Sequence, residues 1–172
     1  KGVTLFDPSG ATAAALGKAG FAPPVLKELD DKALAGVAVL MIAEGAGKDA
    51  ALVKAGDAVK KFVQDGGSVL SLPQEALDPA WIGTSLNITP KVTSIAWVRA
   101  PNHPLMQGFT SEDLQFWFPD HRVSSRDLLK PRQGDFTAIV DAGLGNSRMD
   151  YTGLLEMRAG KGRYLFCQML LT

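Results

Sequence analysis

A single cysteine, two histidines and two tyrosines are all that this chain of 172 residues carries of those types. Lone Cys167 excludes an internal disulfide framework and a cysteine-based zinc cluster. It falls inside an apolar terminal run, where a free thiol behaves as a small buried hydrophobe. Net charge is missing too: 18 Lys and Arg stand against 18 Asp and Glu. Without a basic excess or stripe there is no general nucleic-acid binder here, because phosphate neutralisation requires one. No apolar run approaches the roughly 20 residues of a membrane span. The chain also shows no signal-peptide pattern and no initiating Met, so it reads as a module trimmed from a longer, exported protein.

What is present is enough for one core. Apolar residues make up 46% of the sequence and charged residues 21%, ordinary globular usage. The first half alternates strand-like and helix-like patterns, the signature of a parallel sheet with helices on its faces. Residues 3–6 form a β-rich run that stops at Asp7-Pro8-Ser9-Gly10, and residues 11–19 then read as helix. Residues 25–29 are a weak second strand. The continuous apolar run 37–42, between Gly36 and Gly45, predicts a central strand covered on both faces. Leu52, Ala55, Val59, Phe62 and Val63 recur at steps of three and four, which predicts one amphipathic helix over 49–64. Asp65-Gly66-Gly67 ends it, and residues 68–72 follow as the next strand.

Beyond Pro73 the pattern changes, with most aromatic residues and prolines falling in 79–135. A short helix is signalled at Thr110-Ser111-Glu112-Asp113. Residues 136–140 read as strand, and 153–157 with 163–171 as a pair joined at Ala159-Gly160-Lys161-Gly162. The expected architecture is a three-layer α/β fold: a doubly wound, mostly parallel sheet closed by an antiparallel C-terminal hairpin, in one domain over 1–172.

Such sheets bind ligands beyond the carboxyl ends of their strands. The loop at Asp7 lacks G-x-G-x-x-G, and Pro8 removes a donor, so it reads first as a capped turn. Glu44-Gly45-Ala46-Gly47-Lys48 has the glycines and lysine of a phosphate loop without its spacing. A hydrolase elbow would need Ser or Cys after strand 68–72, and the sequence there is Pro73-Gln74-Glu75. His103 stands in Pro101-Asn102-His103-Pro104, and His121 in Pro119-Asp120-His121-Arg122; pairing with Asp120 or Asp141 could hold a metal or relay a proton. Neither has the i, i+4 spacing of a helical zinc pair. The run Phe116-Trp117-Phe118 reads as core beneath a long loop, with a sugar platform as its alternative. The ligand-binding candidates are therefore Glu44, His103, Trp117, Asp120, His121 and Arg122, with no catalytic residue, metal or cofactor assigned.

Residues 103–117, from His103-Pro104-Leu105 to Gln115-Phe116-Trp117, resemble a segment in C-terminal regions of bacterial glycoside hydrolases of the β-galactosidase and family 2 kind. Residues 160–169, ending Phe166-Cys167-Gln168-Met169, resemble the last hairpin of the same module. The step Asp65-Gly66-Gly67-Ser68-Val69-Leu70 is similar to that of class I glutamine-amidotransferase-like domains, which occur in those enzymes as non-catalytic units. Active members of that superfamily use an elbow Cys with a His and a Glu, and Cys167 stands in the wrong element for that. The resemblance implies a flavodoxin-like scaffold without the chemistry, packed against other domains of a parent glycosidase or assembling with itself. Two rival expectations are a carbohydrate-binding module built on Trp97 or Trp117, and an independent hydrolase using Glu44 and one histidine.

Overall fold

The computed structural model describes residues 2–117, 120–143 and 149–170. Strand β1 (Gly2–Phe6) leads through α1 (Ala11–Lys18) to β2 (Val25–Leu26), and β3 (Val37–Ile42) follows. The expected 49–64 helix is two, α2 (Ala50–Lys54) and α3 (Gly56–Gln64), before β4 (Ser68–Ser71). The break falls at Ala55, with ψ 8°, beside the closest approach to α4 (Pro79–Ile82). A Cβ on Gly56 would stand 2.5 Å from the Ala80 carbonyl oxygen, so this position admits only glycine.

The remaining strands are β5 (Ile88–Thr89), β6 (Ile95–Val98), β7 (Asp127–Leu129), β8 (Phe136–Gly143), β9 (Tyr151–Ala159) and β10 (Gly162–Cys167). All belong to one ten-stranded sheet. Its helix-flanked part, in the order β2-β1-β3-β4-β10, is parallel throughout. Beyond it β10 and β9 form the expected antiparallel hairpin, with Arg163 opposite Arg158. Strand β9 then pairs with β8 and β7, which carry β6 and β5. Thus the α/β doubly wound fold with a C-terminal hairpin is the fold observed.

Right-handed crossovers place α1, which moves the chain from β1 out to β2, on one face. They place α2 and α3, which move it from β3 to β4, on the other. The α3 face holds the largest buried side chains. Tyr164 and Phe166 stack at 5.9 Å, with Trp81 of α4 at 6.2 and 6.1 Å. The Tyr164 hydroxyl donates to the Trp81 carbonyl oxygen at 2.8 Å, and Trp81 Nε1 donates to that of Gly47 at 2.9 Å. Burying such rings removes about 150–250 Å² each from water, about 4–6 kcal/mol apiece before entropy at ~25 cal/mol per Å². Burial pushes the Tyr164 hydroxyl up to about 12.

A second cluster, including Met106, Leu114, Val123, Ile139 and Met169, lies under the 101–117 segment. The segment folds as two one-turn 3-10 helices, Pro104–Met106 and Asp113–Phe116, the second being the short helix signalled at Thr110-Ser111-Glu112-Asp113. Thr110 and Asp113 bond each other through backbone and side chain, and the Ser111 hydroxyl takes the backbone N–H of Val98 at 3.0 Å. That bond blunts the edge strand β6, whose open donors would otherwise invite pairing. Asp127, wholly buried, accepts from the hydroxyls of Thr93 and Ser124 and so pins two loops together.

Candidate functional site

The chain leaves β1 in one lateral direction and β3 in the other, so a crevice opens beyond the carboxyl ends of these strands. Asp7 closes one side of it. Its carboxylate accepts from Ser9 N (3.2 Å), Ser9 Oγ (2.9 Å), Gly10 N (2.9 Å) and Ala13 N (2.8 Å). The Gly10 and Ala13 donors at the start of α1 are thereby taken by the protein's own carboxylate, and the Ala11 donor by the Ser9 hydroxyl at 3.2 Å. Burial pushes Asp7 up, yet these bonds outweigh it and hold the group below its ordinary value.

Glu44 follows β3, with its side chain exposed and its backbone N–H on the Thr12 hydroxyl at 3.2 Å. It lines two adjoining clefts. One of about 180 Å³ is walled by Ala11, Thr12, Ala15, Leu16, Leu72 and Pro73. The other, of about 400 Å³, adds Glu75, Ser125, Arg126 and Leu170. Glu75 and Arg126 form an ion pair at 2.8 Å across its rim. Neither histidine is among the lining residues of these clefts.

The turn after β4, where an elbow nucleophile would stand, carries Gln74, only 3% exposed. Its Oε1 accepts from Gly47 N at 2.7 Å, and its Nε2 donates to the carbonyl oxygens of Ala43 and Leu72 at 2.8 Å. Its backbone is bound as well. Gln74 N donates to Gln168 Oε1 at 2.7 Å, and Gln168 Nε2 donates back to Gln74 O at 3.0 Å. Two buried amides therefore stitch the ends of β3, β4 and β10, and Gly47 of the glycine loop is consumed in the same network.

The other sequence candidates are dispersed. His103 caps the first 3-10 turn, its Nδ1 accepting from Leu105 N at 3.3 Å, which leaves Nε2 as the donor toward Glu156 Oε2 at 3.3 Å. Its partner is thus Glu156, and not Asp120, Asp141 or Glu44. His121 has φ 59°, with Nδ1 at 3.1 Å from the Gln115 carbonyl oxygen. Asp120 and Arg122 pair with each other, and the Arg122 backbone N–H holds the Asp120 carboxyl below its ordinary value. Trp117 is half-buried; its Nε1 donates to Leu170 O at 2.6 Å, and its ring tilts against Phe109 at 6.5 Å. Trp97, 36% exposed, stands on β6 opposite Asp141. Phe118 and the side chain of Phe116 lie outside the described residues.

One constellation was not singled out from the sequence. Glu156, 2% exposed, is met by Arg163 Nη1 at 3.0 Å, His103 Nε2 at 3.3 Å and Arg158 Nε at 3.3 Å. Burial raises its carboxyl, but Arg163, His103 and Arg158 outweigh that and hold it low. The signal was available: Glu156 and Arg158 share a face of β9, and the hairpin turn brings Arg163 opposite. Cys167, whose thiol burial pushes up to about 11, is no thiolate at neutral pH. Among the described residues no group of three His, Cys, Asp or Glu side chains could hold a metal ion.

No protein-family model matches the sequence, and neither does any curated protein. Solved structures do match in fold. A ThuA-like protein from Bacteroides uniformis superposes with TM-score 0.58 at 11% identity, over 98% of this chain and 80% of that one. A cytoplasmic protein from Salmonella typhimurium gives 0.59 at 12%, over 98% and 87%. The cold-adapted β-galactosidase from Rahnella sp. R3 gives 0.58 at 14%, over 99% of this chain and 28% of its own. Identities this low establish a shared fold. They place the chain in a fold class that occurs both as most of a smaller protein and as about a quarter of a glycosidase chain.

Proposed function

We propose that this chain is a non-catalytic, amidotransferase-like accessory domain that packs against, or assembles, the other parts of a glycoside hydrolase. Gln74 is the observation that carries the reading. At the turn where this fold presents a nucleophile, a buried amide spends its side-chain donors and acceptor on the backbone and works as a fastener. The β-galactosidase likeness supports the same reading, since there the fold is one part of a larger enzyme. Glu44 remains the one exposed carboxylate shared by both clefts, and it defines the rival hydrolase.

Two measurements on the purified chain test this. Turnover of chromogenic glycosides and esters should be absent, and sedimentation should show association with itself or with a glycosidase catalytic domain. Turnover abolished by Glu44→Ala, or a chain that stays monomeric and binds no such domain, would overturn the proposal.

A further inference from the structure

The two faces of the central strands are covered unequally. On the α3 face Leu40, Val69 and Tyr164 are 0, 0 and 1% exposed. One residue along, on the α1 face, Met41 is 6% exposed, but Val39, Leu70, Leu165 and Cys167 around it are only half-buried. Register makes these last a continuous strip, since Leu165 pairs with Leu70 and Val39 stands one pair from Met41, the partner of Leu70. The helix α1 flanks it with half-buried Ala15 and Leu16, and the apolar cleft beside Leu72 is its upper end. On the other flank Leu165 and Cys167 pack against the second cluster, as does Trp117 of the 101–117 segment.

We infer that this strip is the seat of an amphipathic α-helix supplied by a neighbouring protein domain, lying antiparallel to β4 and β10. The dimensions fit. From β3 to β10 is two strand spacings, about 10 Å, which is about one helix diameter. From the Arg163 row to the Cys167 row is about 13 Å, or about nine residues of helix.

Charge sets the direction. At the amino-terminal end of the strip Arg158 and Arg163 face each other across the hairpin, 67% and 48% exposed in their side chains. Like charges directly opposed are unfavourable, and Glu156 neutralises only one of them. Among the described residues each guanidinium gives one N–H to Glu156, and both side chains are about half in solvent. A helix running antiparallel to the strands, as crossover helices do, would bring its negative carboxyl end and any acidic residue there onto this pair. A second copy presenting the same face in register would oppose arginine to arginine. The surface deepens the accessory-domain reading and rests on it.

The test is a titration of the full chain with a synthetic twelve-residue helical peptide, Leu and Ala on one face and two Glu at its carboxyl end, followed by NMR. Saturable shifts confined to Val39, Leu70, Leu165 and their neighbours are expected. The double variant Arg158→Glu, Arg163→Glu should weaken binding at least tenfold, and a peptide ending in Lys should restore it. Ala15→Trp, which crowds the slot from α1 without touching the sheet, should block binding and keeps the test valid should the charge-reversed chain fail to fold. Shifts elsewhere, no saturation, indifference to the charge swap, or equal shifts on raising the protein concentration alone would overturn the inference. Association measured by sedimentation but insensitive to Ala15→Trp would remove this surface and leave the accessory role standing.

Discussion

Three buried carboxylates respond to pH in opposite senses, and their partners decide which. Asp7 and Glu156 sit below their ordinary values of 3.8 and 4.5. Each therefore contributes stability that is complete above those values and is lost as pH falls through the lowered folded-state value. Asp127 is the reverse: burial raises it against the hydroxyls of Ser124 and Thr93 and against Lys91, so its contribution is present below 3.8 and is lost as pH rises through the raised value. Asp7→Asn should cost about 1–2 kcal/mol at pH 7, the scale of a lost cap and charge-assisted bonds. Urea unfolding should show that difference shrinking as Asp7 protonates in acid. Glu156→Gln leaves two opposed guanidinium groups without their counter-charge. Removing one partner of a fully buried pair costs about 3–5 kcal/mol, but the arginines are half in solvent and screened, so about 2 kcal/mol is expected. Added salt should reduce the loss by shielding Arg158 from Arg163.

Among elements, those read best from sequence were the ones whose pattern is also their packing. The run 37–42 is continuous because β3 is buried on both faces over Leu40, Met41 and Ile42, and residues 159–162 announce the hairpin because its turn needs glycine, Gly160 adopting φ 58°. The 49–64 helix was right in its buried positions and wrong in its continuity: it breaks at Ala55, beside the contact of Gly56 with Ala80 on a helix that no local pattern places. Strands β5, β6 and β7 span two to four residues each and owe their pairing to distant partners. Nothing in their own sequence could show that. The site divides in the same way. Arg158 opposite Arg163 follows from alternation and turn length, whereas Pro73-Gln74-Glu75 reads as loop and hides a buried fastener. Gln74→Ala should strip the partner from Gly47 N and leave the Ala43 and Leu72 carbonyls with one donor each, Ala46 N and the Ser71 hydroxyl. An orphaned buried N–H costs about 1–3 kcal/mol unless water enters, and each further lost bond about 0.5–1.5 kcal/mol. A loss of about 3 kcal/mol in chemical denaturation is expected, and a neutral result would mean that the Gln74 and Gln168 pair does not hold the strand ends.

The whole molecule hangs two differently built halves on one sheet. On the parallel side, α2, α3 and α4 press a large cluster against β3, β4 and β10, and its central members are sealed from water. On the antiparallel side, the second cluster is smaller and is roofed by 3-10 turns held through side chains such as Thr110, Asp113 and Ser111. Local opening free energy follows buried apolar contact and the exposure of backbone bonds. Hydrogen exchange should therefore be slowest at Leu40, Val69, Tyr164 and Phe166, whose amides open only with global unfolding. Amides of 105–117 should exchange through a lower-energy opening, faster by at least tenfold. Strand β9 is shared by both halves, and its behaviour discriminates two pictures. If Leu155 is protected as strongly as Phe166, the sheet unfolds as one unit and the roof alone is labile. If Leu155 exchanges with the roof, then β8 and β9 leave with it, and the parallel part is the autonomous core. The continuous pairing of β9 along β10, from Leu154 to Ala159, argues for the first outcome, because releasing β9 would expose the Leu155 and Met157 face along with the polar pairing of Glu156.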